Sequence, residues 1–421
     1  MEQFETVAIG KEKTEKREIR SFGEFWRFFV SELKPKGNPW TPFNLISGTI
    51  MVLGFIFIIY RFVTGLSPTT NMSQLYPWGI WKGAVVNSGV AFAGGGYTLA
   101  FIVYILGMER YRPMLRETVL FAFLAYVFYA GALTVELGRW HVFYNPFIGN
   151  KYGVSSVLFI VAWHFMLYII TLALEFSPAA AEWVGMKRVR KIVGAAALGA
   201  VVFGVMLSIH HQAGLGAMFT MAKGKIHPLW YSEFMPILYF ISSIYAGPSV
   251  MIVVSSITQR LYAHRVDEEY RNAHPEIVLG LGKMCAGVLF AYLFLQLILV
   301  HHEHDLSLIA TPMGLWWLVE VGALGLVPMF LFIHGVQNKN LSTINLAAVL
   351  ALIGVLLNRL NNVFIAYNWY LPLSDKYHPT WAEVIILFTI IFIDVWVFRW
   401  MIHRMHVLSK PPAWARVMEK H

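Results

Sequence analysis

The sequence predicts an all-α polytopic membrane protein of ten transmembrane helices, and three observations predict it. Hydrophobic residues make up 57% of the 421 and charged residues only 14%, against about 25% charge in ordinary soluble domains. Ten apolar stretches approach the roughly 20 residues that cross a bilayer, at about 43–65, 80–107, 117–137, 154–175, 192–212, 235–258, 279–300, 313–335, 341–362 and 382–402. The basic residues are also sorted by loop. One set holds Lys11, Lys13, Lys16, Arg17, Arg20, Arg27, Lys34, Lys36, then Arg110, Arg112, Arg116, Lys187, Arg188, Arg190, Lys191, Arg260, Arg265, Arg271, Lys339, Arg404, Lys410, Arg416 and Lys420. The opposite loops hold Arg139, Lys151, Lys223, Lys225 and Lys376. Positive-inside bias then puts both termini in the cytoplasm of a bacterial inner membrane. The net charge of +9 follows from this sorting and does not indicate nucleic-acid binding.

Three segments follow in order. Residues 1–42 form a cytoplasmic tail, with Phe22, Phe25, Trp26, Phe29, Val30 and Leu33 spaced as one face of an interfacial amphipathic helix. The first residues are charged and lack the apolar run of a cleavable signal. Residues 43–402 are the membrane domain, and 403–421 a short cytoplasmic tail. Cys285 is the sole cysteine, so this chain cannot ligate an iron–sulfur cluster or attach c-type haem. A role in electron transfer would need a partner, or diffusible or non-covalent cofactors.

Polar residues inside apolar spans usually face a cavity or another helix. With the topology above, most of them fall in the outer leaflet. Span three ends in Glu136, Arg139 and His141, span five in His210 and His211, and span nine in Asn358, Arg359, Asn361 and Asn362. The loop before span two supplies Tyr76-Pro77-Trp78-Gly79, with Lys82 and Asn87 within about two helical turns. His164 is expected near mid-membrane, Glu320 about two turns inside span eight, and Glu175 and Asp394 toward the cytoplasm. Glu136 and Arg139, three apart, could neutralise each other on one helix face. The asparagines and Arg359 could join helices. His301-His302-Glu303-His304-Asp305 lacks the spacing of a metal site and reads as a wet span end. Gly94-Gly95-Gly96 reads as a close helix contact.

The outer loops add Trp140, Phe143, Tyr144, Trp369, Tyr370 and Trp381. An interfacial belt explains many of these aromatics. A lipid-soluble redox ring also needs such walls, with a few convergent hydrogen-bonding groups and a route for protons.

Several motifs together carry a family resemblance. Leu75-Tyr76-Pro77-Trp78-Gly79-Ile80-Trp81, Gly95-Gly96-Tyr97, Leu137-Gly138-Arg139, Ser208-Ile209-His210-His211-Gln212-Ala213-Gly214-Leu215-Gly216 and Leu357-Asn358-Arg359-Leu360-Asn361 resemble the NrfD/PsrC family of quinone-interacting membrane subunits, nearest the ten-span HybB/QrcD branch. The resemblance implies two four-helix bundles, spans 2–5 and 6–9, flanked by spans 1 and 10. It implies a menaquinone or ubiquinone site near the outer surface, no haem in this chain, a periplasmic four-cluster iron–sulfur partner, and a further catalytic or cytochrome c subunit. On that reading His141 bonds the headgroup, Glu136 exchanges protons and Arg139 orients it. Trp78, Lys82, Asn87, His210 and His211 line the pocket, and no metal is held. His164 with Glu175, and Glu320 with Asp394, are the expected stepping stones for protons drawn from the cytoplasm. Two other classes stand beside this one: a haem b quinol oxidoreductase subunit using His164 with His210 or His211, and an ion-coupled transporter using Glu320, Arg359 and Asp394.

Overall fold

The computed structural model describes residues 21–148 and 155–418. Expectations for Lys11 to Arg20, Lys151 and Lys420 lie outside them. Among the described residues, ten helices are long and apolar enough to span a membrane. Span 1 is Pro42–Thr64, span 2 Trp81–Ile105, span 3 Glu109–Glu136, span 4 Val157–Val184 and span 5 Gly199–Thr220. Span 6 is Met235–Leu261, span 7 Glu268–His302, span 8 Pro312–Gln337, span 9 Leu341–Ile365 and span 10 Trp381–Ile402. Spans 3, 4 and 7 run past their expected apolar stretches at the ends that carry Arg112, Glu182 and Glu268. Helix continues there because charged side chains reach the interface while the backbone keeps its own hydrogen bonds.

Spans 2, 3, 4 and 5 pack in a circuit, and spans 6, 7, 8 and 9 in another. Spans 1 and 10 pair with each other and lie against span 3. The two circuits meet where spans 2 and 6 cross. A Cβ added to Gly247 would sit 1.9 Å from the backbone nitrogen of Gly95, and one added to Gly95 2.9 Å from the Gly247 carbonyl. The glycine run is therefore a backbone-to-backbone contact, as its small residues imply. Tyr97 and Ser243 seal it with a 2.8 Å hydrogen bond.

The loops gather at two ends. At the aromatic end Tyr76 donates to the Tyr367 carbonyl, Asn368 to the Leu75 carbonyl and the His227 amide to the Ala366 carbonyl. At the basic end Arg116 and Arg190 grip Glu182, and Asp267 meets residues 408 and 410. The first helix, Phe22–Glu32, is capped by Ser21. It lies at the basic end, with Phe28 on Trp183, Phe29 on Trp400 and Glu32 paired to Arg404. Phe22 and Trp26 stay exposed, which suits a helix lying at the interface.

Four turns are π-helical: Trp81–Gly89, Phe101–Ile105, Val319–Leu326 and Asn361–Ile365. Such turns cluster at functional sites. Three of the four carry the polar residues singled out above: Lys82 and Asn87, Glu320, and Asn361 with Asn362.

Candidate quinone site and the polar interiors of the two bundles

At the aromatic end of the first bundle, span 3 stops at Glu136 and Leu137 turns extended. Arg61, buried in span 1, caps that end. Its Nε donates to the Val135 carbonyl at 2.6 Å and its Nη2 to the Leu137 carbonyl. This clamp fixes Glu136, which is buried with both carboxylate oxygens unpartnered. The carboxylate lies by the Gly79 backbone and is coupled to the Lys82 ammonium and, with opposite sign, to Glu383. Asn87 is also buried, with both amide atoms unpartnered. In a π turn the hydrogen bonds run from i to i+5, so Lys82 and Asn87 sit one wide turn apart. Glu383 closes the rim: it accepts from Tyr377 at 2.5 Å and from the Thr380 amide, while Trp81 donates to its carbonyl. Trp78 is half-buried against Phe219 and Tyr367.

Arg139 and His141 do not join this group. Both are exposed, and His141 meets Trp140 edge to face. The helix ends at Glu136, so the shared face that would have paired Glu136 with Arg139 never forms. His210 is likewise exposed and lies parallel to His164, with ring centroids 5.3 Å apart and planes 14° apart. His211 turns inward, its Nδ1 on the Val161 carbonyl and its Nε2 unpartnered.

Unpartnered polar atoms continue inward from Glu136. Gln212 donates to the Val90 carbonyl and leaves Oε1 free. Tyr126 and Tyr168 meet edge to face at 4.7 Å, and their hydroxyls converge on Ser208. None of the three oxygens makes a hydrogen bond of normal geometry. Glu175, coupled to Tyr168, has an unpartnered Oε1. At 1.5 Å per residue, Asn87 lies about 9 Å from the aromatic end, His211, Tyr126 and Tyr168 about 13–17 Å, and Glu175 about 27 Å. A buried polar atom without a partner is costly and is normally satisfied by ordered water or a ligand. His164 is half-buried, with a buried and unpartnered Nδ1, about 10 Å from the aromatic end of span 4.

The second bundle is arranged differently. Glu320 Oε1 accepts from Asn358 at 2.7 Å, and its Oε2 from Trp230 at 2.8 Å and Asn361 at 2.6 Å. Arg359 donates to Asn358 Oδ1 and Ser242 Oγ, each at 2.6 Å, and lies 3.4 Å over the Tyr239 ring. Asp394 is not part of it. It sits on span 10 facing Tyr129 of span 3, so Glu320 and Asp394 do not form one ladder.

Sequence reading missed Arg61, Tyr126, Tyr168, Tyr377 and Glu383, and had Ser208 and Gln212 only as members of a motif. For Arg61 a signal existed: it is a lone cation at the outer end of span 1, where the charge sorting puts none. Tyrosines in apolar spans carry no such mark, because their rings read as core.

Two cofactors place different demands on these donors. A haem iron needs two imidazole nitrogens aimed at one another, whereas His164 and His210 oppose ring faces, so this pair does not fit. For a ring with two carbonyl oxygens, Lys82 and Asn87 offer N–H donors and Glu136 an unpartnered carboxyl, all buried, and these do fit.

A family model described as "Polysulphide reductase, NrfD" matches residues 51–370. A protein of Nitratidesulfovibrio vulgaris (strain Hildenborough) is 38% identical over 372 residues, covering 88% of this chain and 96% of the relative. The "Probable Ni/Fe-hydrogenase 2 b-type cytochrome subunit" of Escherichia coli K12 is 27% identical, covering 87% and 92%. The "Menaquinone reductase, integral membrane subunit" of the same Nitratidesulfovibrio strain is 23% identical, covering 80% and 87%. The long match between residues 51 and 370 takes in both helix circuits with Arg61, Lys82, Asn87 and Glu136, and the chain belongs to the polysulphide reductase NrfD family.

Proposed function

We propose that this chain is the quinone-reactive membrane subunit of a multi-subunit respiratory oxidoreductase. The aromatic end faces the periplasm, and the basic end, with both termini, the cytoplasm. A relative named as a menaquinone reductase subunit supports the substrate class, and ubiquinone shares its chemistry. The single observation that carries the reading is the set of unpartnered polar atoms on Glu136, Asn87, His211, Gln212, Tyr126, Ser208, Tyr168 and Glu175, threaded through one bundle.

Mechanistically, Lys82 and Asn87 would hold the two headgroup oxygens and Trp78 would cover the ring. When bound, a quinone supplies the two-electron, two-proton chemistry that this chain lacks. Glu136, held in place by the Arg61 clamp on its helix end, would take up and release protons at its carboxylate. Glu175, Tyr168, Ser208, Tyr126 and His211, bridged by water, deliver protons from the cytoplasmic side. Drawing protons across while electrons enter from outside makes turnover electrogenic, at about 2.3 kcal/mol per charge per 100 mV. The electrons come from a periplasmic iron–sulfur subunit docked on the Trp-, Tyr- and His-rich loops, themselves fed by a catalytic or cytochrome c subunit.

The test is Glu136→Gln in the intact complex, reconstituted in sealed vesicles. Quinone turnover falls about 10²-fold if Glu136 is a general acid–base. Wild-type turnover in that variant, or wild-type turnover that generates no membrane potential, overturns the assignment of site or path respectively.

A further inference from the structure

A cavity of about 30 Å³ opens beside the helix end at Glu303 and Asp305 and runs into the second bundle. Gln296, Tyr292, Trp317 and Asn362 line its inner part. A second cavity of about 10 Å³ shares Tyr292, Gln296 and Asn358 with the first and reaches Glu320. Together they lead from the aromatic end to a buried carboxylate.

The walls hold polar atoms with nothing to bond. Gln296 Oε1 and Asn362 Oδ1 are free acceptors, and Trp317 Nε1 is a free donor. All three residues are more than nine-tenths buried. Free groups of both senses on one wall suit a molecule that donates and accepts at once. A water occupies roughly 10–15 Å³ of cavity measured this way, so the larger space takes about two.

We propose that the second bundle contains a water-filled inlet, open at the aromatic end, through which Glu320 exchanges protons with the solvent there. The ligand is a short file of ordered waters held by Gln296, Trp317 and Asn362. The groups facing Glu320 are Arg359 and the two asparagine amides of span 9, Tyr239 and Tyr245 of span 6, Tyr292 of span 7, and Trp230 of the preceding loop. Glu303 and Asp305 give the mouth a negative field that concentrates protons. The inlet is separate from the first-bundle path, and the inference does not rest on the quinone reading.

Radiolytic hydroxyl-radical footprinting of the full complex in nanodiscs tests it, because interior side chains are labelled where water sits. Trp317 and Tyr292 are expected to label at least about fivefold faster than Met114 and Met251, which are fully buried and of an easily oxidised type. Gln296→Leu is expected to reduce that labelling about fivefold by removing a water anchor. Difference infrared spectroscopy gives the proton arm. The Glu320 carboxyl signal, assigned by its loss in Glu320→Gln, follows a jump in bath pH in the wild type and slows at least about tenfold in Gln296→Leu. Labelling of Trp317 and Tyr292 no faster than the two methionines overturns the inlet. A Glu320 signal indifferent to bath pH overturns the exchange. Both wild-type readings stand even if the variants fail to assemble, and neither depends on quinone turnover.

Discussion

In the first bundle Glu136, Asn87, Tyr126 and Tyr168 leave their polar atoms unbonded; in the second, Glu320, Asn358, Asn361, Arg359 and Ser242 bond one another. Both sets are buried among four helices packed in the same circuit, so the difference is not one of fold or of exposure. It lies in whether the sequence supplies partners. A network that completes itself holds helices together, whereas one left incomplete is stable only with molecules the chain does not provide. The two interiors thus differ in kind: the first leaves its polar groups open along its length, whereas the second closes on Glu320 and stays open only along the inlet at Gln296, Trp317 and Asn362.

Substitutions can break that contrast, starting with the largest effect. Gly247→Val places side-chain carbons inside the backbone of Gly95. The two circuits should then fail to close on each other, with no complex recovered on size exclusion. Arg359→Leu leaves the second network short of its cation. Breaking a buried charge cluster costs about 3–5 kcal/mol, read as a large drop in thermal midpoint of the purified complex. A midpoint within one degree of wild type would mean that the network does not anchor.

The matching change in the first bundle should behave in the opposite way. Tyr168→Phe removes a hydroxyl that bonds nothing, so stability should move by less than about 0.5 kcal/mol. The potential generated per quinone turned over should fall all the same. A clear destabilisation with normal proton transfer would make Tyr168 a packing residue.

The smallest effect expected is a pH dependence at the rim. Burial pushes His227 below the ordinary histidine value, and its Nδ1 accepts from the Leu229 amide. The unfolded chain therefore binds the proton more readily than the folded one. The stability that neutral His227 contributes is complete above the unfolded value near pH 6.5 and is lost as pH falls toward the folded value. Hydrogen exchange at the Leu229 amide should accelerate in that window, and His227→Gln should flatten the response.

Much of this was legible in the sequence. The ten spans, the close contact at Gly95 and the nearness of Lys82 to Glu136 follow from hydropathy, residue size and depth. Helix rotation did not. His210 and His211 are adjacent, yet His210 is exposed and His211 buried, because packing between spans 4 and 5 decides the facing. Arg139 and His141 misled for another reason. Spacing by three or four presumes a continuing helix, and this one stops at Glu136, where Arg61 takes its last carbonyls.

That clamp has a consequence for biogenesis. The acceptors of Arg61 lie 74 and 76 residues further along the chain. Span 1 therefore enters the bilayer with an uncompensated cation, an expensive state, until span 3 has followed it. Its own flank gives little hold, since only 11% of its most apolar stretch is buried, against 78% for span 2. The first span made is thus among the later ones to lock, and a ribosome stalled before Leu137 would expose a nascent chain whose leading span is still free to leave.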